Sequence, residues 1–328
     1  MSGSVLREYW HPVATSNELG KTPLAVSLLD ERIVLWRAQE KAVAFRDLCI
    51  HRGTALSLGS IKDDQLVCAY HGWSYAADGA CVRIPSLPRG HSIPAKARAT
   101  AVFHTQERYG LVWVCLSQPR APIPEISELE DSDYHTFFHS AEVWETSAAR
   151  MIENFIDTSH FPYVHTGINA TRDDPLIPDF EVTHNGLELS FEARFTAPSG
   201  DTFRGPNPLA SYSAFTEGRR QYRVVLPFMA QAIRPMPESR RQLISVIASP
   251  ISAKRMRYYT FSSRNFALDR PDEDFRELIR TIFAQDRAIV ERQRPEELPV
   301  DLSKELHIKG PDAGTLQYRR MLSDIGVK

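Results

Sequence analysis

The sequence predicts an α+β protein in two parts, a small all-β domain at residues 1–118 and a larger domain of antiparallel sheet and helices at 119–328. Three observations predict it. Short β-like runs broken by glycine and aspartate turns fill the N-terminal part. A stretch rich in proline and acid, "SQPRAPIPEISELEDSDYH" at 117–135, has little periodicity and marks a boundary. Beyond it a helical segment, several alternating segments and one long helix follow, the pattern of an antiparallel α+β domain.

The strands of the first part are "RIVLWRA", "AVAFRDL" and "YGLVWVCL". In the second part "NFIDTSHFPYVH", residues 154–165, comes first and reads as helix as far as Phe161, because the residue before Pro162 resists the helical basin. "FEVTHNGLELSFEARF" follows, with a hairpin turn at Asn185-Gly186, then "QYRVVLPFMAQAIRP", "QLISVIASPI" and "RMRYYTFSSRNF" as strands. The last long element, "DEDFRELIRTIFAQDRAIVERQR", is helical. Phe275, Leu278, Ile282, Ile289 and Gln293 follow the three-four spacing of its buried stripe.

Composition narrows the function classes. With 42% hydrophobic and 24% charged residues and a formal net charge of −2, nothing attracts nucleic acid or an anionic membrane. "MSGSVLREYW" lacks the apolar core of a leader and no run reaches membrane-spanning length, so the expected compartment is the cytoplasm. Four cysteines, at 49, 68, 81 and 115, are too few for a disulfide scaffold and read as metal ligands or buried thiols. Cys81 and Cys115 fit the second description, as small core hydrophobes.

Cys49 and Cys68 fit the first. "CIHRG" at 49–53 and "CAYHGW" at 68–73 each offer one thiolate and one imidazole from a short loop, with sixteen residues between His51 and Cys68. Two sulfur and two nitrogen donors suit zinc or an iron–sulfur centre. Structural zinc sites more often pair like ligands, so one of each per loop favours a [2Fe–2S] cluster with Cys49 and Cys68 on one iron and His51 and His71 on the other. Gly53 and Gly72 let backbone approach the sulfurs.

The second candidate is a mononuclear iron(II) held by two histidines and a carboxylate. His160 and His165 supply the histidines if the break near Pro162 swings His165 back. Asp286 supplies the carboxylate, since it occupies an apolar stripe where an isolated charge is costly; a salt bridge to a neighbouring arginine is the competing explanation. Asp157, one turn before His160, is placed to orient its imidazole, or else faces solvent. Asn154 lies near the iron or bonds backbone. Tyr222, Phe228 and Gln231 are candidate substrate contacts, with ordinary sheet packing as the alternative for each.

Together the two motifs and the late Asp286 resemble the oxygenase component of Rieske non-haem iron oxygenases, over nearly the whole chain and in the expected order. "YWHPVA", "QERYGLVWVCL" and "FAQDRAIVERQRP" are most similar to the homotrimeric branch of caffeine N-demethylase, dicamba O-demethylase and saxitoxin-pathway hydroxylase. The resemblance implies a Rieske domain followed by a helix-grip catalytic domain, assembled head to tail as a trimer. It implies Cys49, His51, Cys68 and His71 as cluster ligands and His160, His165 and Asp286 as iron ligands. The aspartate matching Asp157 then bridges to the cluster of the adjacent subunit.

The expected activity is that of a terminal monooxygenase acting on a small aromatic or N-heterocyclic compound with O2. No flavin or nicotinamide fingerprint is present, so an external reductase or ferredoxin must supply electrons. Insertion of oxygen into a methyl C–H on nitrogen or oxygen ends in demethylation and formaldehyde. Hydroxylation or cis-dihydroxylation without demethylation is the alternative within the class. Outside it stand a non-enzymatic Rieske electron carrier and a zinc-binding interaction protein.

Overall fold

The computed structural model describes residues 5–88, 90–197 and 217–328. The chain divides into two compact units, Met1–Ile123 and Pro124–Lys328. The division falls slightly beyond the expected 118/119 boundary, because the proline-rich stretch is stitched down rather than loose. Arg120 N–H donates to the Glu8 carbonyl at 2.8 Å, its guanidinium pairs with the Glu8 carboxylate at 2.6 Å, and Ile123 is buried. Past the division, Ile126 is fully buried and the Glu125 carbonyl accepts from Arg223 at 2.9 Å, both within the second unit.

Among its described residues the first unit holds ten strands: β1 (His11–Thr15), β2 (Leu24–Leu28), β3 (Glu31–Ala38), β4 (Lys41–Arg46), β5 (Ser60–Lys62), β6 (Gln65–Val67), β7 (Ser74–Tyr75), β8 (Cys81–Arg83), β9 (Val102–Arg108) and β10 (Leu111–Cys115). Six form an antiparallel sheet ordered β1-β10-β9-β4-β3-β2, and β5-β6-β7-β8 form a smaller one. Ile33 to Trp36 on β3 and all of β10 are buried, since both faces of these strands are covered and apolar runs replace alternation. Cys115 and Cys81 are core residues here, as expected.

The second unit is an antiparallel sheet ordered β11-β17-β16-β15-β14-β13-β12. Its strands are β11 (His135–Trp144), β12 (Val182–Asn185), β13 (Glu188–Thr196), β14 (Glu217–Val225), β15 (Met229–Pro235), β16 (Arg241–Ser252) and β17 (Arg255–Arg264). Gly186, at φ +56°, turns β12 into β13 as the Asn-Gly pair predicts. Four helices join it: α1 (Ala148–Ile156), the single-turn α2 (Phe161–Val164), α3 (Asp272–Val290) and α4 (Ala313–Asp324). The start of α3 carries Asp272, Glu273 and Asp274 against its positive dipole end. Asp272 also ties it to the sheet, at 2.9 Å from the buried Arg264 and 2.8 Å from His135.

The α4 helix lies outside the sequence expectation, which ended on α3. Its buried stripe is Gly314, Tyr318, Arg319, Met321 and Leu322, so a glycine and an arginine sit where an apolar pattern would be sought. Arg319 is buried because it closes an ion-pair network. It bonds Glu153 at 2.9 Å and also Glu305, while Arg150 of α1 reaches Glu305 at 2.6 Å. Burial pushes the Glu153 carboxyl up despite these arginines. The network clamps α1 one residue before Asn154.

Removing Arg319 leaves two carboxylates, Glu153 and Glu305, sharing the single Arg150. Arg319→Ala is expected to cost about 3–5 kcal/mol, read by urea unfolding followed by far-UV circular dichroism. The double variant Arg319→Met with Glu153→Leu should recover part of that loss.

Candidate metal centres

In the first unit two loops repeat one geometry. Gly53 N–H closes onto the Cys49 carbonyl at 2.9 Å, and Gly72 N–H onto the Cys68 carbonyl at 3.0 Å. Cys49 N–H donates to Thr54 and Cys68 N–H to Trp73, at 2.8 and 2.9 Å. Both glycines are left-handed, φ +73° and +70°, where a side chain is strained. At Gly72 a Cβ would also press on Pro85 at 3.0 Å.

The loops bring their donors together. The His51 and His71 rings lie 4.5 Å apart between centroids, and His51 stacks on Trp73 at 4.5 Å and 8°. Cys49 and Cys68 are buried, and burial, with Cys49 as neighbour, raises the Cys68 thiol pKa. The buried His51 Nδ1 has no hydrogen-bond partner. Two buried sulfurs and a pair of imidazoles fit a mixed thiolate–imidazole centre. Tyr75, fully buried, holds its hydroxyl 3.2 Å from Cys49 Sγ. The sequence reading missed Tyr75, although it follows "CAYHGW" by a single residue.

In the second unit the helix reading of 154–165 is corrected. Helix α1 begins at Ser147, whose hydroxyl accepts from Arg150 N–H at 3.2 Å, and ends at Ile156 rather than Phe161. Asp157 leaves the helix at ψ 131° because its carboxylate competes for nearby donors: Oδ1 accepts from Ser159 N–H at 2.7 Å and Oδ2 from His160 Nδ1–H at 3.1 Å. Pro162 then sits in the first turn of α2, where its missing N–H costs nothing. His165 ends that turn beside His160.

Three acceptor atoms converge as a result. His165 Nδ1–H donates to Gln285 Oε1 at 2.8 Å, and His160 Nδ1–H is committed to Asp157. Each ring therefore presents an Nε2 lone pair, and the two Nε2 atoms are 3.2 Å apart. Asp286 Oδ1 lies 3.0 Å from His165 Nε2 and 3.5 Å from His160 Nε2, and it has no hydrogen-bond partner. Two nitrogen lone pairs and a carboxylate oxygen facing one another require a cation, and the donor set fits iron(II) with open positions. Gln285, the neighbour of Asp286, was not anticipated.

The competing salt bridge for Asp286 is not formed. Arg287 reaches Glu291 at 3.0 Å and Arg280 reaches Glu273 at 3.0 Å, while the charged neighbours of Asp286 are the two histidines. The buried stripe of α3 also shifts from the expected one. It runs through Phe275, Leu278, Ile279, Phe283, Asp286 and Val290, and Ile289 is 51% exposed. Burial works against the Asp157 carboxylate, yet His160 and Ser159 hold it below the usual range. Burial likewise opposes the His160 imidazolium, and Asp157 outweighs it.

A cavity opens beside the three acceptors, lined by α1, α3 and the strands β14–β16. Asn154 lines it, with its side-chain N–H groups buried and unpartnered. Tyr222 lines it too. Gln231 does not, because strand alternation puts Ala232 on that side. Gln231 instead bonds Glu128, Ser245 and Arg223 at 3.0, 3.2 and 3.0 Å. Phe228 is buried before β15, outside the lining. Arg220 and Arg234 are in the lining and were not foreseen, since charges on strands read as solvent-facing.

Hydrogen bonds to cluster sulfurs raise reduction potential. Tyr75→Phe should keep a [2Fe–2S] absorbance yet lower the midpoint potential, measured by redox titration.

Residues 9–103 match the Rieske [2Fe-2S] domain family, and 144–326 match the Vanillate O-demethylase oxygenase C-terminal domain family. Methylxanthine N1-demethylase NdmA of Pseudomonas putida is 31% identical over 98% of this chain and 89% of its own length. Methylxanthine N3-demethylase NdmB of the same organism is 33% identical over 89% and 83%. The structure of Pseudomonas putida CBB5 NdmA with caffeine superposes with a TM-score of 0.85 at 29% identity, covering 96% of this chain and 90% of that one. With a paired Cys-His loop unit ahead of a buried His-His-Asp convergence, and both domain families matched in that order, the chain belongs to the Rieske non-haem iron oxygenases.

Proposed function

We propose that this protein is the terminal oxygenase of a multicomponent monooxygenase that removes a methyl group from nitrogen or oxygen of a small aromatic or heterocyclic compound. The observation that carries this is the convergence of His160 Nε2, His165 Nε2 and Asp286 Oδ1 at the wall of a largely apolar cavity. When bound, the cluster supplies single electrons and the iron(II) supplies the position where oxygen is activated. In balance, a methyl compound, O2, two electrons and two protons give the demethylated compound, formaldehyde and water. The N-demethylase relatives support this reading over plain hydroxylation.

The side chains would divide the work. Cys49, His51, Cys68 and His71 would hold the cluster, with Tyr75 donating to Cys49 sulfur. Asp157 and Gln285 keep the Nδ1 protons on His160 and His165, leaving both Nε2 lone pairs for the metal. Asp286 supplies the negative charge. Phe161, Ile279 and Phe283 make the walls apolar and exclude water. Asn154, with unpartnered donors in the lining, would orient substrate.

Asp157 also borders a second, polar hollow of about 890 Å³, with Glu305 and His307 among its lining, and its side chain is 27% exposed. A carboxylate that touches His160 on one side and open space on the other suits a bridge to an electron donor. We assign that donor as the cluster of the next subunit in a head-to-tail trimer, reloaded by an external reductase or ferredoxin. No described helix is long and apolar enough to cross a membrane, and the four unpaired cysteines accord with the reducing cytoplasm.

Asp286→Ala should lose the mononuclear iron by metal analysis, keep two irons and two acid-labile sulfides per chain, and release no formaldehyde from methylated aromatics or N-heterocycles. Retention of the third iron and of turnover would remove Asp286 from the site.

The route between subunits has its own test. His71→Ala and His160→Ala chains, each inactive alone, should regain turnover when co-expressed and purified as mixed trimers. Transfer within one chain predicts none.

A further inference from the structure

Strand alternation puts two arginines into the same cavity. Tyr222, Ala232 and Ile244 form one row across β14, β15 and β16, paired Tyr222↔Ala232 and Ala232↔Ile244. Two residues along, Arg234 pairs with Gln242. Arg220 lies one residue beyond the last β14–β15 pair, Gln221↔Ile233, and so stands opposite Arg234. The cavity wall thus changes from Tyr-Ala-Ile to Arg-Arg-Gln, and all six residues line it.

Neither guanidinium has a carboxylate partner among the described residues. Arg220 donates only to the Arg219 backbone carbonyl at 3.2 Å and stands 5.8 Å over the Phe195 ring. Arg234 makes no hydrogen bond or ion pair there; its charged neighbour is Arg220, which repels it. Arg220 and Arg234 are half-buried, whereas the fully buried arginines described in this unit are neutralised: Arg150 and Arg319 by Glu153 and Glu305, Arg264 by Asp272. Desolvation lowers Arg220 to about 10, and desolvation and Arg220 lower Arg234 well below its ordinary value, so the charges are costly as they stand.

We propose that the substrate carries a carboxylate, bound by Arg220 and Arg234 at the end of the cavity away from His160, His165 and Asp286. This rests on the reading of that cavity as the oxygenase site and names its substrate class, an aromatic or heteroaromatic acid. The guanidinium forks match the planar, bidentate acceptor geometry of a carboxylate. Gln242, beside Arg234, offers further donors. The ring then lies along Tyr222, Ile244, Ile279 and Phe283, with its charged end fixed and its opposite end presented to the three acceptors. Anchoring by charge at one end selects which ring substituent is oxidised.

The test is equilibrium binding. Holoprotein with cluster and iron loaded is titrated anaerobically by calorimetry with 3- and 4-methoxybenzoate and with the isosteric, uncharged methoxybenzamides. At least one carboxylate should bind about tenfold or more tighter than its amide. Arg234→Gln or Arg220→Gln should bring that ratio near one by loss of carboxylate affinity, and Arg234→Lys should keep part of it. Because a half-buried charge without a carboxylate partner is removed, the ligand-free Arg234→Gln protein should melt no lower than the parent. Equal or weaker carboxylate binding, no measurable carboxylate binding at all, a ratio unmoved by both glutamine variants, or a lowered melting temperature would each overturn the proposal. Oxygen uptake and formaldehyde from uncharged methylated heterocycles, without carboxylate preference, would sink it and leave demethylation standing. Arginine-dependent carboxylate binding with no oxygen uptake by the loaded enzyme would do the reverse.

Discussion

The second unit depends on one electrostatic constraint: three acceptors, two imidazole nitrogens and one carboxylate oxygen, are held face to face out of water. Acceptors do not bond one another, so the arrangement is stable only with a cation among them or with enforcement from outside. The enforcement is visible in the partners. Asp157 and Gln285 occupy the far nitrogens of His160 and His165, which removes the tautomers that would let the rings bond each other. Asp286 cannot swing away, because α3 buries its own stripe on both sides of that position.

That constraint explains features that look like local defects. Helix α1 stops at Ile156, before its apolar periodicity requires, because Asp157 must turn out of the helix to reach His160. The single-turn α2 exists to bring His165 round, and Pro162 stiffens its start. Buried ion pairs between α1 and α4 contribute little net stability once desolvation is counted. Their value is positional. They hold the end of α1 from which Asn154 and Asp157 depart.

The candidate metal ligands were legible in the sequence because metal chemistry needs particular atoms at particular spacings. Cys49, His51, Cys68 and His71 announce themselves by residue type, and Asp286 by being a charge on an apolar stripe. The stripe survives even though Ile289, one of the residues that defined it, faces outward. Less was legible where a residue's role depends on a partner far along the chain. Arg319 makes α4 look polar until Glu153 and Glu305 are placed beside it. Gln231 and Tyr222 occupy the same kind of strand, and only register decides that one meets the cavity and the other Glu128. The choice between a helix ending at Phe161 and one ending at Ile156 turned on a side-chain hydrogen bond that spacing cannot reveal.

The same reasoning separates the two kinds of buried charge in this unit. Arg150, Arg264 and Arg319 are compensated within the chain, so they belong to folding. Asp286 faces only the two imidazoles, the half-buried Arg220 and Arg234 meet no carboxylate among the described residues, and all three line one cavity. Folding alone gives no reason to keep such groups, since neutral residues of similar volume pack there without the desolvation cost. Stability sacrificed at a site is restored when its ligands arrive. A negative centre among the histidines calls for a metal cation, and a positive pair across the same cavity calls for an anion. Charges of both signs line one cavity, and a bound molecule with an acid at one end would take its orientation from them.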